Sequence, residues 1–568
     1  MVNANLINDM GKFLVTFILC TNLTLTLGYA PDTILPSSTP KSCSCADWSS
    51  NSSAAALFSS PEAAVAAGSS CAIPSLGVSA DPTSPIYNIY DGFCLCDSTS
   101  EDPDMWFTHC DSPADIPSQL NLLIVDASTV AVNFLTSDNG KRSSPSNTPV
   151  AELKLLGADE SAIKTITGFS EPYAYGSRVQ SYHNVIFSNL TQRTDYEYRV
   201  ATGADQVFTK WTKFRSLYTK DSKPTKLAMY GDMGVYPNME TPEAVPSVAR
   251  HNIGNLIDDY ANGDIDFVMH CGDHAYEFQF ANGERGDGYM DAYSLLLKNV
   301  PWLPGWGNHE YLDEDMGERL ANITSGMISS MPEGSHRMWY STDVGHMHLV
   351  QLDFSPYFCF FDGCEAVDTC GLPREFHDPP TTDGEMLFDE YRERILAWLE
   401  ADLKKVDREK TPWLIEKEKE KRKQMRTTDA DNGAKGYKHL RTTGYTSKVQ
   451  PSQDLLRLDL EPLLKKYNVD VYFTGHNHNY ETTWPMFNAT SVQKDFKEPK
   501  ATVHIISGAA GPGGYDNFTK TSPEWSREPR VLEVSYSVVE MTDETFHLKQ
   551  IANNDGRLLD DFTITKKI

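Results

Sequence analysis

From about residue 113 to 220 apolar and polar residues alternate in short runs, among them Thr129-Val-Ala-Val-Asn-Phe134 and Tyr196-Glu-Tyr-Arg-Val200, with turn residues between them. A period of two buries one side of a strand and wets the other, and a succession of such strands predicts a β-sandwich. After Pro224 the pattern changes. Lys226-Leu-Ala-Met-Tyr230, Ile265-Asp-Phe-Val-Met-His270, His348-Leu-Val-Gln-Leu352 and Val469-Asp-Val-Tyr-Phe-Thr474 are short apolar runs that read as buried strands. Helical periodicity lies between them, clearest from Asp389 to Val406, where Tyr391, Ile395, Trp398, Leu399 and Leu403 fall mostly on one face. Strands alternating with helices predict an α/β sheet. The last stretch, from about 486 to 568, holds Thr502-Val-His-Ile-Ile506 and strand-like runs as far as Phe562. Its Ser507-Gly-Ala-Ala-Gly-Pro-Gly-Gly514 is not followed by the Gly-Lys-Ser/Thr of a phosphate loop and reads as a flexible turn.

At 568 residues the chain exceeds one hydrophobic core, and roughly two to four domains are expected at about 150 residues each. A net charge of −28 repels polyanions, and no basic stripe offsets it, so no nucleic acid is expected as a resident partner, whereas a small phosphorylated substrate fits. Lys12, the apolar run Phe13–Leu19 with its Thr-rich continuation to Leu27, and the small residues Gly28 and Ala30 read as a secretory signal over 1–30. Its Thr and Asn residues make it a poor spanning helix, and no later run is apolar enough to span. The secretory route leads outside the cell, to the cell wall, or to a vacuole or lysosome. Of eleven cysteines, Cys20 leaves with the signal and six lie between Cys43 and Cys110, inside a Ser-, Ala- and Pro-rich region over 31–112. Two Cys-x-Cys pairs with only His109 nearby suit a disulfide framework better than zinc, with the pairing open. Acceptor sequons at Asn51, Asn189, Asn322, Asn488 and Asn517 agree with a glycoprotein.

Candidate chemistry gathers in four short motifs that follow the apolar runs: Gly231-Asp-Met-Gly234, Gly272-Asp-His-Ala-Tyr276, Gly307-Asn-His-Glu310 and Gly475-His-Asn-His478. Singly, each reads as a turn in which the polar side chain bonds its own backbone. Together they offer Asp232, Asp273, Tyr276, Asn308, His476 and His478, an oxygen and imidazole set able to hold two first-row cations, one of them hard and trivalent. Ligands in open α/β sheets bind beyond the carboxyl ends of strands, which is where Asp232, Asp273 and His476 stand. His251, His270, His274, His336, His346, His348 and His377 fall outside these motifs and read as structural or exposed, and Cys271 as a small buried thiol.

From about residue 113 onward these motifs resemble those of the purple acid phosphatases of the large plant and fungal type, within the calcineurin-like metallophosphoesterases. The resemblance implies a fibronectin type III-like β-sandwich over 113–220, a metallophosphoesterase αββα sandwich over 224–485 and a C-terminal region over 486–568. It further implies that Asp232, Tyr276 and His478 hold Fe(III), and that Asp273 bridges to a divalent zinc, manganese or iron held by Asn308 and His476. A metal-bound hydroxide would then attack a phosphate monoester at acidic pH, with His309 hydrogen-bonding the phosphate or assisting the leaving group. A buried structural imidazole is the alternative for His309.

One family motif departs from pattern. After Thr411-Pro-Trp-Leu-Ile415, where similar proteins continue into Val-x-x-His, this chain reads Glu416-Lys-Glu-Lys-Glu-Lys-Arg-Lys423, a solvated charge run. The next imidazole is His439, either the displaced ligand behind a charged insertion or a surface histidine that leaves the divalent site one ligand short. Two other functions stay open: a non-catalytic relative acting as a secreted or cell-surface binding glycoprotein, and a nucleotide phosphodiesterase or pyrophosphatase.

Overall fold

A computed structural model describes residues 117–137, 148–175, 178–202, 208–234, 247–276, 278–279, 283–310, 317–357, 384–418, 451–511, 518 and 522–567. The signal, the region 31–112, Asn51, His439 and Asn517 lie outside these residues. Among the described residues the chain begins with β1 (Ser118–Asp126), β2 (Thr129–Ser137), β3 (Val150–Leu155), β4 (Lys164–Thr167), β5 (Phe169–Tyr175), β6 (Arg178–Phe187), β7 (Asp195–Ala201) and β8 (Thr212–Arg215). The order β1-β2-β6-β5 faces the sheet β4-β3-β7-β8 across a core of its own, in which Leu122, Val132, Phe134 and Phe187 meet Leu153, Tyr198, Val200 and Phe214. This is the expected sandwich. The alternation in β1 runs between two cores rather than between core and water. Leu120 and Leu122 enter the sandwich, whereas Leu123 and Val125 enter the larger core beyond it.

That larger core belongs to an αββα sandwich. β9 (Thr225–Tyr230), β10 (Phe267–His270) and β11 (Trp302–Pro304) lie parallel and adjacent. Helix α1 (Ser247–Asn262) connects β9 to β10, α2 (Glu284–Leu297) connects β10 to β11, and α3 (Glu318–Ser330) follows. The second sheet contains β12 (Trp339–Val344), β13 (Met347–Leu352), β14 (Trp413–Glu418), β15 (Val471–Thr474) and β16 (Tyr480–Thr483), with the short hairpin β17 (Met486–Phe487) and β18 (Thr490–Ser491) standing apart. β19 (Val503–Ser507) and β20 (Ser526–Val531) complete it in the order β12-β13-β14-β15-β19-β16-β20. Helix α4 (Gly384–Leu403) precedes β14 and α5 (Pro451–Lys466) precedes β15; Tyr391, Ile395, Leu399 and Leu403 of α4 are buried, as their spacing predicts. The last strands, β21 (Ser535–Met541), β22 (Thr545–Ala552) and β23 (Leu558–Thr565), return to the first sheet beside β9.

The N-terminal sandwich and the α/β part share backbone. β1 pairs in parallel with β11 at Leu123 and Trp302, so one 10-stranded sheet runs from β23 to β5. A buried polar knot reinforces the junction: the Asp287 carboxylate on α2 accepts hydrogen bonds from Gln119 of β1 at 3.3 Å, from Gln180 of β6 at 3.2 Å and from Arg319 of α3. Breaking one member of such a set strands a buried charge.

The charge run after Ile415 is not solvated at its start. Glu416 and Lys417 are each 0% exposed, because the parallel register carries them into the sheet centre, Glu416 between Val350 and Tyr472. Sequence alternation of charges could not reveal this, since the register is fixed by the apolar residues 413–415 that precede it. Lys417 points toward the first sheet, where Nζ donates to the Leu303 carbonyl at 3.1 Å, and burial pushes its pKa down to about 7. Neither carboxyl oxygen of Glu416 has a hydrogen-bond partner among the described residues, and burial pushes its pKa well above the ordinary value of 4.5. The folded chain therefore holds a proton on Glu416 that the unfolded chain releases above pH 4.5, so this residue makes stability fall with rising pH, by at most about 1.4 kcal/mol per unit. Lys417 adds no slope below about pH 7, where it is protonated in both states. Urea unfolding at several pH values between 4.5 and 6.5 should show Glu416→Leu gaining on the wild type as pH rises; a difference that stays constant across that range would contradict the assignment.

Candidate metal centre

Parallel strands bring their C-terminal turns to one edge of a sheet. β9 delivers Asp232, β10 delivers Asp273 and Tyr276, and β11 leads into the short 3-10 turn Asn308–Glu310. The turns are tied to each other: Asp232 N donates to Gly272 O at 3.1 Å and Gly234 N to His274 O at 2.8 Å. β15 of the second sheet ends in the turn Gly475-His-Asn-His478, and His476 N donates to Asp232 Oδ2 at 2.7 Å, joining the two sheets at their mouths. Asp232, Asp273, Tyr276 and His476 adopt left-handed backbone angles, with φ of 62°, 52°, 55° and 72°. Each costs on the order of 1 kcal/mol or more for a residue with a side chain, and such strain persists only where surrounding bonds impose it.

The side chains converge in two groups. Tyr276 Oη lies 3.3 Å from Asp232 Oδ1 and 2.7 Å from His478 Nε2, and His478 Nε2 lies 3.3 Å from Asp232 Oδ1, so carboxylate, phenol and imidazole meet in a triangle. Beside it His476 Nδ1 lies 3.1 Å from Asn308 Oδ1. Asp273 Oδ1 accepts from His309 N at 3.0 Å, and the His309 ring packs 4.6 Å from that of Tyr276. Asp232, Asp273, Asn308 and His476 are buried, whereas Tyr276, His309 and His478 are half-buried and form the open side. Burial first, then the charges of Asp232 and Asp273, push the Tyr276 phenol well above its ordinary value.

Two groups of donors fit two cations of different character. Carboxylate, phenol and imidazole suit a hard ion, and a bound cation reverses the pull that now keeps the proton on Tyr276. Among the described residues no three His, Cys, Asp or Glu side chains alone are placed to hold an ion. β14 reaches the same edge, with Glu418 opposite Thr474, yet its described residues add no imidazole. Of the remaining histidines, His274 is a support beneath the site. Its Nε2 donates to Gly305 O at 2.8 Å and its ring stacks on His270 at 4.0 Å. Cys271 is buried, as expected of a small thiol beneath the site.

Two supports escaped the sequence reading. Glu310, quoted only as the end of its motif, accepts Asp273 N at 2.9 Å, His274 N at 2.8 Å and Gly307 N at 2.7 Å. The glycine-rich segment read as a flexible turn is instead packed solid over 507–511: Ala509 and Ala510 are buried, and Gly231 N donates to Ser507 O at 2.9 Å. A Cβ on Gly508 would sit 2.2 Å from Asn477 O and 2.8 Å from Asp232 Oδ2. The need here is for closeness to the Asp232 carboxylate, which no phosphate-loop or turn rule reports. Gly508→Ala should therefore displace Asp232 and weaken metal binding by roughly tenfold or more while leaving a folded chain. Metal titration followed by metal analysis would check this, and wild-type affinity in the variant would refute the buttress.

Comparison with known proteins agrees with this architecture. The calcineurin-like phosphoesterase model matches residues 225–480, the purple acid phosphatase N-terminal domain residues 117–216, and the iron/zinc purple acid phosphatase-like protein C region residues 501–561. Human Acid phosphatase type 7 is 27% identical over 395 residues, covering 68% of this chain and 77% of that protein. Probable inactive purple acid phosphatase 1 of Arabidopsis thaliana is 26% identical over 408 residues, covering 68% and 57%. A purple acid phosphatase isolated from yellow lupin (Lupinus luteus) seeds shares the fold, with a TM-score of 0.56 at 19% identity over 80% of this chain and 75% of that one. The chain belongs to the purple acid phosphatase family of calcineurin-like metallophosphoesterases.

Proposed function

We propose that this chain hydrolyses phosphate monoesters at acidic pH, using Fe(III) held by Asp232, Tyr276 and His478 and a divalent zinc, manganese or iron held by Asn308 and His476, with Asp273 between them. The observation that carries the reading is the triangle of Asp232 Oδ1, Tyr276 Oη and His478 Nε2, with no edge longer than 3.3 Å. When bound, such a metal pair supplies the positive charge that acidifies a water molecule and neutralises phosphate oxygens. The chain's own residues do the rest. Asp232 and Asp273 are held by strained turns that need no rearrangement when a ligand arrives. His309 stands at the open side against Tyr276, its Nε2 4.0 Å from Asp273 Oδ2, where it can donate a hydrogen bond to a phosphate oxygen or a proton to the leaving group. His439 completes the divalent site only if residues beyond β14 return to this edge; His439→Ala with unchanged divalent metal content would remove it.

A second reading, a family member without turnover, is favoured by the charged pair Glu416 and Lys417 at the start of the departed motif and by relatives whose names include "Probable inactive". One preparation separates the two. The iron-replete protein should contain two metal ions per chain, absorb visible light, and release p-nitrophenol from its phosphate far faster than from the corresponding diester. Tyr276→Phe should lose the absorption band. Fewer than two ions together with no release would favour the inactive reading, and faster diester cleavage would favour a nucleotide diesterase.

We also infer entry into the secretory route with cleavage near Gly28 or Ala30, and N-terminal sequencing of protein recovered outside the cell should begin just after one of them. The sequons then separate by exposure. Asn189 and Asn488 are exposed, whereas Asn322, in α3, is half-buried with its side-chain amide nitrogen enclosed. Glycopeptide mass spectrometry should find glycan at Asn189 and Asn488 and none at Asn322; an occupied Asn322 would contradict the enclosure.

A further inference from the structure

The Glu310 carboxylate stands beneath two ligand-bearing turns without facing the open side, and is 1% exposed. Its Oε1 accepts His274 N, and its Oε2 accepts both Asp273 N and Gly307 N. These three amides belong to different strands' turns: two follow β10 and carry Asp273, the third follows β11 and precedes Asn308 and His309. None is satisfied by a strand ladder. The Asp273 turn is the left-handed one, with φ of 52°, a conformation that relaxes unless something fixes its amides.

We propose that Glu310 is a positioning residue that clamps the Asp273 turn to the Asn308–His309 turn and so sets the spacing of the bridging carboxylate, the amide ligand and the phosphate-facing imidazole. The proposal rests on the two-metal reading above. An anionic acceptor suits this task because both oxygens accept and neither donates, and a buried charge is offset by three converging N–H groups. An amide in its place turns one terminal atom into a donor. In either orientation of the amide, at least one backbone N–H then faces another donor. A one-carbon-shorter carboxylate keeps the charge but cannot span both turns from the same backbone position.

In Glu310→Gln the chain should remain folded, bind metal roughly 10- to 100-fold more weakly, and exchange the amide hydrogens of Asp273, His274 and Gly307 faster than wild type. Glu310→Asp should lie between the two. Hydrogen exchange on the wild-type protein gives a reading that no variant's folding can spoil: these three loop amides should be as protected as those of β9 and β10. Protection no better than that of exposed turns would overturn the clamp, as would Glu310→Gln with wild-type metal affinity and wild-type exchange. A wild-type chain that binds no metal would overturn the two-metal reading and, with it, the role of the clamp in setting ligands, while the exchange pattern would still decide whether Glu310 joins the turns.

Discussion

The acceptance of the His476 backbone N–H by Asp232 Oδ2, at 2.7 Å, is the contact on which the site's geometry depends. Asp232 hangs from β9 in the first sheet and His476 from β15 in the second, so one carboxylate fixes the separation and register of the two layers where they open. The other oxygen of the same carboxylate faces Tyr276 and His478. A single side chain thereby serves as a fastener on one edge and a donor on the other. Glycines at 475 and 508 are required because their Cα atoms press on that carboxylate, a Cβ at either falling within 2.8 Å of Oδ2.

Strain and support are distributed around this contact in a consistent way. Four of the residues proposed as metal ligands sit in left-handed backbone, which is unfavourable in isolation and useful when donors must already point inward before a ligand arrives. The restraints are the Glu310 carboxylate accepting three turn amides, the backbone bonds Asp232–Gly272 and Gly234–His274, and the packed segment 507–511. Because the C-terminal strands β21–β23 rejoin the first sheet directly beside β9, the chain that supplies this segment is itself anchored in the layer it supports.

How much of this was legible follows from what each signal measures. Apolar runs ending in Gly-Asp or Gly-His mark strands and their terminal turns, so Asp232, Asp273, Tyr276, His476 and His478 could be named from spacing alone, and the structure brings Asp232, Tyr276 and His478 together. Long-range packing leaves no such trace. Gly508 looks like any turn glycine until the turn 276 residues upstream is pressed against it, and Glu310 looks like any acidic residue until three amides are found around it. Glu416 and Lys417 fail in the opposite direction: their composition says water, while the register of β13 and β15 on either side says core. The buried Glu416 carboxyl, without a hydrogen-bond partner among the described residues, is a conflict between local sequence and fold, and it falls at the strand where the family pattern also breaks.

Anomalous X-ray diffraction at the iron edge and at a divalent-metal edge, from crystals of the metal-replete protein, bears most directly on the two-metal centre. Iron is expected among Asp232, Tyr276 and His478 and a second ion at Asn308 and His476, with Asp273 reaching both. Density for one ion only, or for ions elsewhere in the chain, would contradict this assignment.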